Sequence, residues 1–173
     1  MGRQTFDGRR TLIAGAGILI IALAAGIGAS GQTALDLSQP PAKPSEDHKC
    51  PVCGMFVAQY PDFEAAAVFK DGATVFFDGA KDMFRYLFDV GTYARGRTRA
   101  DIARVWVTDY YSLKWTDAKA ALFVKGSDVL GPMGRELIPF AKETEAKEFL
   151  KDHKGKSLFR FAEIMPSVLK DID

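Results

Sequence analysis

Two tandem β-β-α-β units are the architecture that this sequence predicts: an α+β fold of small antiparallel sheets, each with a helix packed on one face. Three observations carry it. Paired β-prone runs joined by turn residues occur twice after residue 50. A stretch with helical spacing of apolar residues follows each pair, and a further β-prone run follows each stretch. Laying a helix on one face of a small antiparallel sheet buries the apolar side of both. This order puts the first unit at residues 50–110 and the second at 111–173.

The first unit opens with FEAAAVF (63–69) and TVFF (74–77). Asp71 and Gly72 lie between them, and Asp-Gly between β-prone runs favours a hairpin because glycine accepts positive φ. Met83, Phe84, Leu87 and Phe88 then recur at helical spacing, with Gly91 expected at the C-cap. RVWV (104–107) is the third strand. In the second unit AALFV (120–124) and ELIPF (136–140) are strands, and Pro139 suits a sheet edge. Residues 126–135, GSDVLGPMGR, are expected as a long loop between them. Thr144 is expected to cap a helix over TEAKEFLKDH, with Ala146, Phe149, Leu150 and His153 on one face and Gly155 as its stop. LFRFAEI (158–164) is the last strand. The units share an order of elements, not a sequence repeat.

Composition is that of an ordinary globular chain. Its 173 residues suffice for one compact domain or two small ones, 47% are hydrophobic, and 13 phenylalanines supply core surface. A net charge of +1 offers no basic surface, which excludes nucleic acid as a partner.

Residues 1–31 read as an export signal or an N-terminal membrane anchor. Arg3, Arg9 and Arg10 form a basic start, and residues 11–35 carry no charge. Ala29, Ser30 and Gly31 suit cleavage before Gln32; uncleaved, the run is close to the roughly 20 residues that span a bilayer. Arg9-Arg10-Thr11-Leu12-Ile13 also resembles a twin-arginine signal. Either route makes the working part periplasmic, with membrane contact only through residues 11–35 if they stay in place. No cysteine follows the apolar run to take a lipid. Residues 32–49, with Pro40, Pro41 and Pro44, are expected to be a flexible tether.

HKCPVCGM, from His48 to Met55, holds both cysteines of the chain. As a zinc site it is one half, since no second cysteine pair exists and the other histidine, His153, sits at a charged helix end. As a redox CxxC it lacks the strand-to-helix setting of a thioredoxin-like site. As a disulfide it closes too short a loop to stabilise much. A fourth reading uses Met55. Cys53 and Met55 offer a thiolate and a thioether around a permissive Gly54, and such soft ligands select Cu(I). Met133, between Pro132 and Gly134, either fills core or adds a third sulfur; Cys50 and His48 stand ready to complete or relay the site. Asp78, Asp82 and Asp109 are spaced as caps and turns, and nothing pairs them as a general acid and base. Residues 142–156 read as a solvated helix face, and Trp106 and Trp115 as core or rim. No Ser/His/Asp arrangement or phosphate-cradling glycine loop is present, so the chain does not read as an enzyme.

CPVCGMFV, FFDGAKDMFRYL, VWVTDYYSLKWTDAKAALFVKGSDVLGPMG and FAKETEAKEFLKDHKGKSLFRFAEI together resemble the NosL family of nitrous-oxide-reductase accessory proteins, over about Cys50 to Ile164. The resemblance implies a periplasmic Cu(I) chaperone of two β-β-α-β units that helps load nitrous oxide reductase beside an ABC-type membrane complex. Cys53 and Met55 match the family's CGM ligands, and Met133 matches the Met of G-x-M-G. Many members look like lipoproteins; this chain has no cysteine at that place. A periplasmic CxxC thiol-disulfide oxidoreductase and a metal-free interaction domain are the competing readings.

Overall fold

The computed structural model describes residues 1–2 and 36–172. The export signal or anchor, and the first residues of the tether, lie outside these. No helix among the described residues is long and apolar enough to cross a membrane.

β1 (Ala65–Phe69) and β2 (Thr74–Phe77) form the expected hairpin, followed by α1 (Ala80–Phe88), a helical turn α2 (Val90–Tyr93) and β3 (Ile102–Thr108). β3 returns antiparallel to β1, and the sheet order is β2-β1-β3-β4. β4 (Trp115–Asp117) pairs with β3, so the first sheet runs on past residue 110. The second sheet, β6-β5-β7, is built from β5 (Leu122–Gly131), β6 (Gly134–Phe140) and β7 (Ser157–Arg160), with α3 (Glu143–Asp152) between the last two. Both sheets put the second strand of the hairpin at one side of the first and the strand after the helix at the other. The α+β reading holds, and Pro139 does lie on an edge strand.

Four local expectations change. Residues 126–135 are not a loop: the β5–β6 ladder resumes after an irregularity and ends at Gly131 opposite Gly134, leaving Pro132 and Met133 at the tip. A bulge absorbs the glycine that reads as a break. Gly91 does not cap α1; Asp89 leaves helical geometry and its carboxylate accepts from Thr92 N to start the next turn. Thr144 is not the N-cap of α3, which starts from Lys142 and has Glu143 and Glu145 in its first turn, where carboxylates complement the helix dipole. The last strand stops at Arg160, and residues Phe161–Glu163 form a 3-10 turn. In the segment read as a tether, Pro44 is buried, Leu37 packs against the core, and Lys43 pairs with Glu64 and lies over the Trp115 ring.

α1 packs against β1 and β2 of the first sheet and β6 of the second. Seven of its nine residues are buried, so both its faces are covered. The main core runs from β1, β2 and β3 through Met83, Phe84, Tyr86 and Leu87 to Phe123, Leu137, Leu169 and Ile172. A smaller cluster of Leu122, Val124, Ile138, Phe140, Ala146 and Phe149 fills the space under α3.

Candidate metal centre

CPVCGM folds into a tight turn. Lys49 bridges Phe56 in antiparallel fashion, Cys50 N donates to Met55 O at 2.9 Å, and Gly54 N donates to Cys50 O at 2.9 Å. Gly54 stands at φ +81°, a left-handed conformation that costs glycine little, and this closes the turn. Both sulfurs thus come to one side, as free thiols.

The turn packs on the junction between β2 and α1. Asp78 follows β2 directly, and Asp82 sits in the first turn of α1. Cys53 Sγ donates to Asp78 Oδ1 at 3.2 Å, and Cys50 Sγ to Asp82 Oδ2 at 3.5 Å. The other Asp82 oxygen accepts from Arg85 at 2.8 Å. One ligand atom from each of Cys50, Cys53, Asp78 and Asp82 lies within 4.8 Å of the rest. All but Cys53 are nearly inaccessible to solvent.

Burial pushes the Cys50 thiol up to about 12, and the charges of Asp78 and Asp82 add to the rise. Burial raises the Cys53 thiol as well, with Asp82 and Cys50 adding to it. Both sulfurs therefore keep their protons at neutral pH until a cation replaces them. Two thiolates and two carboxylates are the donor types that a four-coordinate borderline cation accepts; Cu(I) draws on the sulfurs alone.

The sequence candidates are distributed as follows. Cys50 and Cys53 are in the cluster, and the half-buried Met55 belongs to the same turn. Met133 is 45% exposed at the β5–β6 tip, and its carbonyl accepts from Lys81 Nζ at 3.1 Å, so the hairpin of the second unit is tied to the helix that carries Asp82. His48 stands apart from the cluster: its Nδ1 accepts from Ser45 N at 3.0 Å, and its ring packs edge-on against Phe76. Asp78 and Asp82 are the residues that sequence reasoning passed over. Asp78 lies before the extended N-cap Gly79 and Asp82 in the first helical turn, so no single periodicity pairs them in the sequence. Asp109 behaves as expected of a turn residue, accepting from Ser112 and from Ala141 N.

The NosL family model matches residues 41–169. The chain belongs to the NosL family. It is 30% identical over 167 residues to the copper-binding lipoprotein NosL of Stutzerimonas stutzeri, covering 91% of this chain and 84% of that one. The crystal structure of the copper chaperone NosL from Shewanella denitrificans superposes with a TM-score of 0.63 at 26% identity, covering 74% of this chain and 99% of that one. The NosL match takes in the CPVCGM turn, α1 and the β5–β6 hairpin.

Proposed function

We propose that this chain is a periplasmic copper metallochaperone that carries Cu(I) as cargo and passes it on by ligand exchange. Cys53, Met55 and Met133 are its sulfur ligands, with Cys50 beside them. His48, whose Nδ1 is engaged by Ser45, is a relay at most. The client is an exported copper enzyme, nitrous oxide reductase by the family resemblance, reached beside an ABC-type membrane complex.

The observation that carries the reading is the cluster of two free thiols and two carboxylates, with one ligand atom each of Cys50, Cys53, Asp78 and Asp82 within 4.8 Å of the rest. A disulfide oxidoreductase works through a cysteine whose thiolate is stabilised. Here burial raises both cysteines, with Asp78 and Asp82 adding to it at Cys50 and Asp82 and Cys50 at Cys53, so the thiolate forms when a cation arrives. A half-buried Met55 and an exposed Met133 add weak soft ligands that a partner can displace, which suits a carrier.

Cys50→Ser separates the two classes. A chaperone with Cys53, Met55 and Met133 as ligands retains Cu(I) binding in this variant, weakened by about 10–100-fold, as expected when a neighbouring group is lost. An oxidoreductase loses all thiol-disulfide activity. Disulfide exchange that Cys50→Ser abolishes, in a parent chain that holds no Cu(I), would sink the chaperone reading.

A further inference from the structure

Lys81 is a buried lysine with no role in the site as described. It is 2% exposed, and its Nζ donates to Met133 O at 3.1 Å and to Ile172 O at 3.0 Å. Burying a lysine is costly, and an apolar side chain packs a core as well. What the lysine does here is reach from the first turn of α1 to two main-chain carbonyls in distant segments. One of them is at the hairpin tip, beyond the last ladder pair of Gly131 and Gly134. Strand pairing therefore does not fix it.

A second bond runs in the opposite direction. Glu136, on β6 just after that tip, sends Oε1 into the start of α1, where it accepts from Lys81 N at 2.6 Å and also from Leu137 N at 2.8 Å. Gly79 makes room for it: a Cβ there would lie 2.2 Å from Glu136 Oε2. Helix and hairpin are thus joined twice through one residue, by its backbone to Glu136 and by its side chain to Met133. The same helical turn presents Asp82, and Asp78 lies immediately before the N-cap Gly79.

We propose that Lys81 is a positioning residue for Met133, holding the hairpin tip so that the Met133 thioether faces the Cys53 and Met55 sulfurs. The inference rests on the reading of Met133 as a Cu(I) ligand. Lys81 itself touches no metal; it acts through the Met133 backbone. A bare hairpin tip samples many orientations, and a weak thioether ligand contributes only in the fraction that points at the site.

A double-mutant cycle on the full reduced chain tests it, with Cu(I) buffered by a competing chelator. The variants are Lys81→Leu, Met133→Leu and the pair; leucine is used because it adds no new sulfur. The expected result is that Lys81→Leu weakens Cu(I) binding by about 10–100-fold. The pair should then be no weaker than Met133→Leu alone, because the lysine has nothing left to position. Circular dichroism and thermal unfolding report whether each variant folds. If Lys81→Leu does not, Lys81→Gln, which retains a donor on a shorter stem, replaces it in the cycle. Additive losses, or no loss from the Lys81 variant while Met133→Leu weakens binding, overturn the positioning role alone. No loss from Met133→Leu overturns the reading of Met133 as a ligand, and this inference with it.

Discussion

The two β-β-α-β units have the same strand order and use opposite ends of it. In the first, the junction from the hairpin to the helix carries Asp78 and Asp82 and receives the cysteine turn, while its β1–β2 hairpin is short. In the second, the corresponding junction from β6 to α3 places no member of the cluster, and the hairpin is long and ends at Met133. The helices differ in the same way. α1 buries seven of nine residues, including the polar Lys81 and Asp82, whereas α3 buries only Ala146 and Phe149 of its ten. Burying a charged group is costly unless it finds a partner. Lys81 finds its partners in Met133 and Ile172, and Asp82 in Cys50 and Arg85, on a helix that packs against β1, β2 and β6.

Truncating one phenylalanine in each core sharpens this contrast most. Phe84 packs against Phe123 at 5.2 Å and Phe161 at 5.0 Å; Phe149 packs against Phe140 at 4.9 Å and Tyr110 at 5.0 Å. Phe84→Ala and Phe149→Ala are each expected to cost about 3–5 kcal/mol in denaturant unfolding. Only Phe84→Ala should also weaken Cu(I) binding by the folded protein. Equal losses of affinity would break the assignment of the site to α1.

A smaller effect comes from Glu136, the carboxylate between the units. Burial raises it from 4.5 to about 7, against the pull of the Leu137 and Lys81 amides. The folded state therefore binds a proton that the unfolded state releases between those values. Its contribution is full below pH 4.5 and is lost as pH rises towards 7. Glu136→Gln retains an acceptor for the Lys81 amide and removes the titration. Its unfolding free energy should stay level across that window, where the parent falls by up to about 3 kcal/mol. Parallel pH profiles for the two proteins would show that Glu136 does not titrate there.

Much of this was legible in the sequence. Asp71-Gly72 marked the first hairpin, the spacing of Met83, Phe84 and Leu87 marked α1, and Cys50, Cys53 and Met55 came together because they lie in one turn. What was missed depends on contacts between distant segments. Asp82 lies in the first turn of a helix, where an acid is favoured by the dipole whatever else it does, so its position carried no excess signal. The pairing of Lys81 with residues 52 and 91 positions away leaves no local pattern at all. Residues 126–135 read as loop because Gly126, Gly131, Pro132 and Gly134 punctuate the stretch, yet Gly126, at φ +81°, marks a bulge in a continuing strand.

The most direct measurement is an anaerobic Cu(I) titration of the reduced full chain against a competing chelator, beside the Met55→Leu/Met133→Leu double variant. A thiolate–thioether site shared by the two units predicts one tightly held Cu(I) per chain, weakened by at least about tenfold in the variant. Equal affinity in both proteins would contradict it, and would leave Cys50 and Cys53 as a dithiol that owes nothing to the second unit.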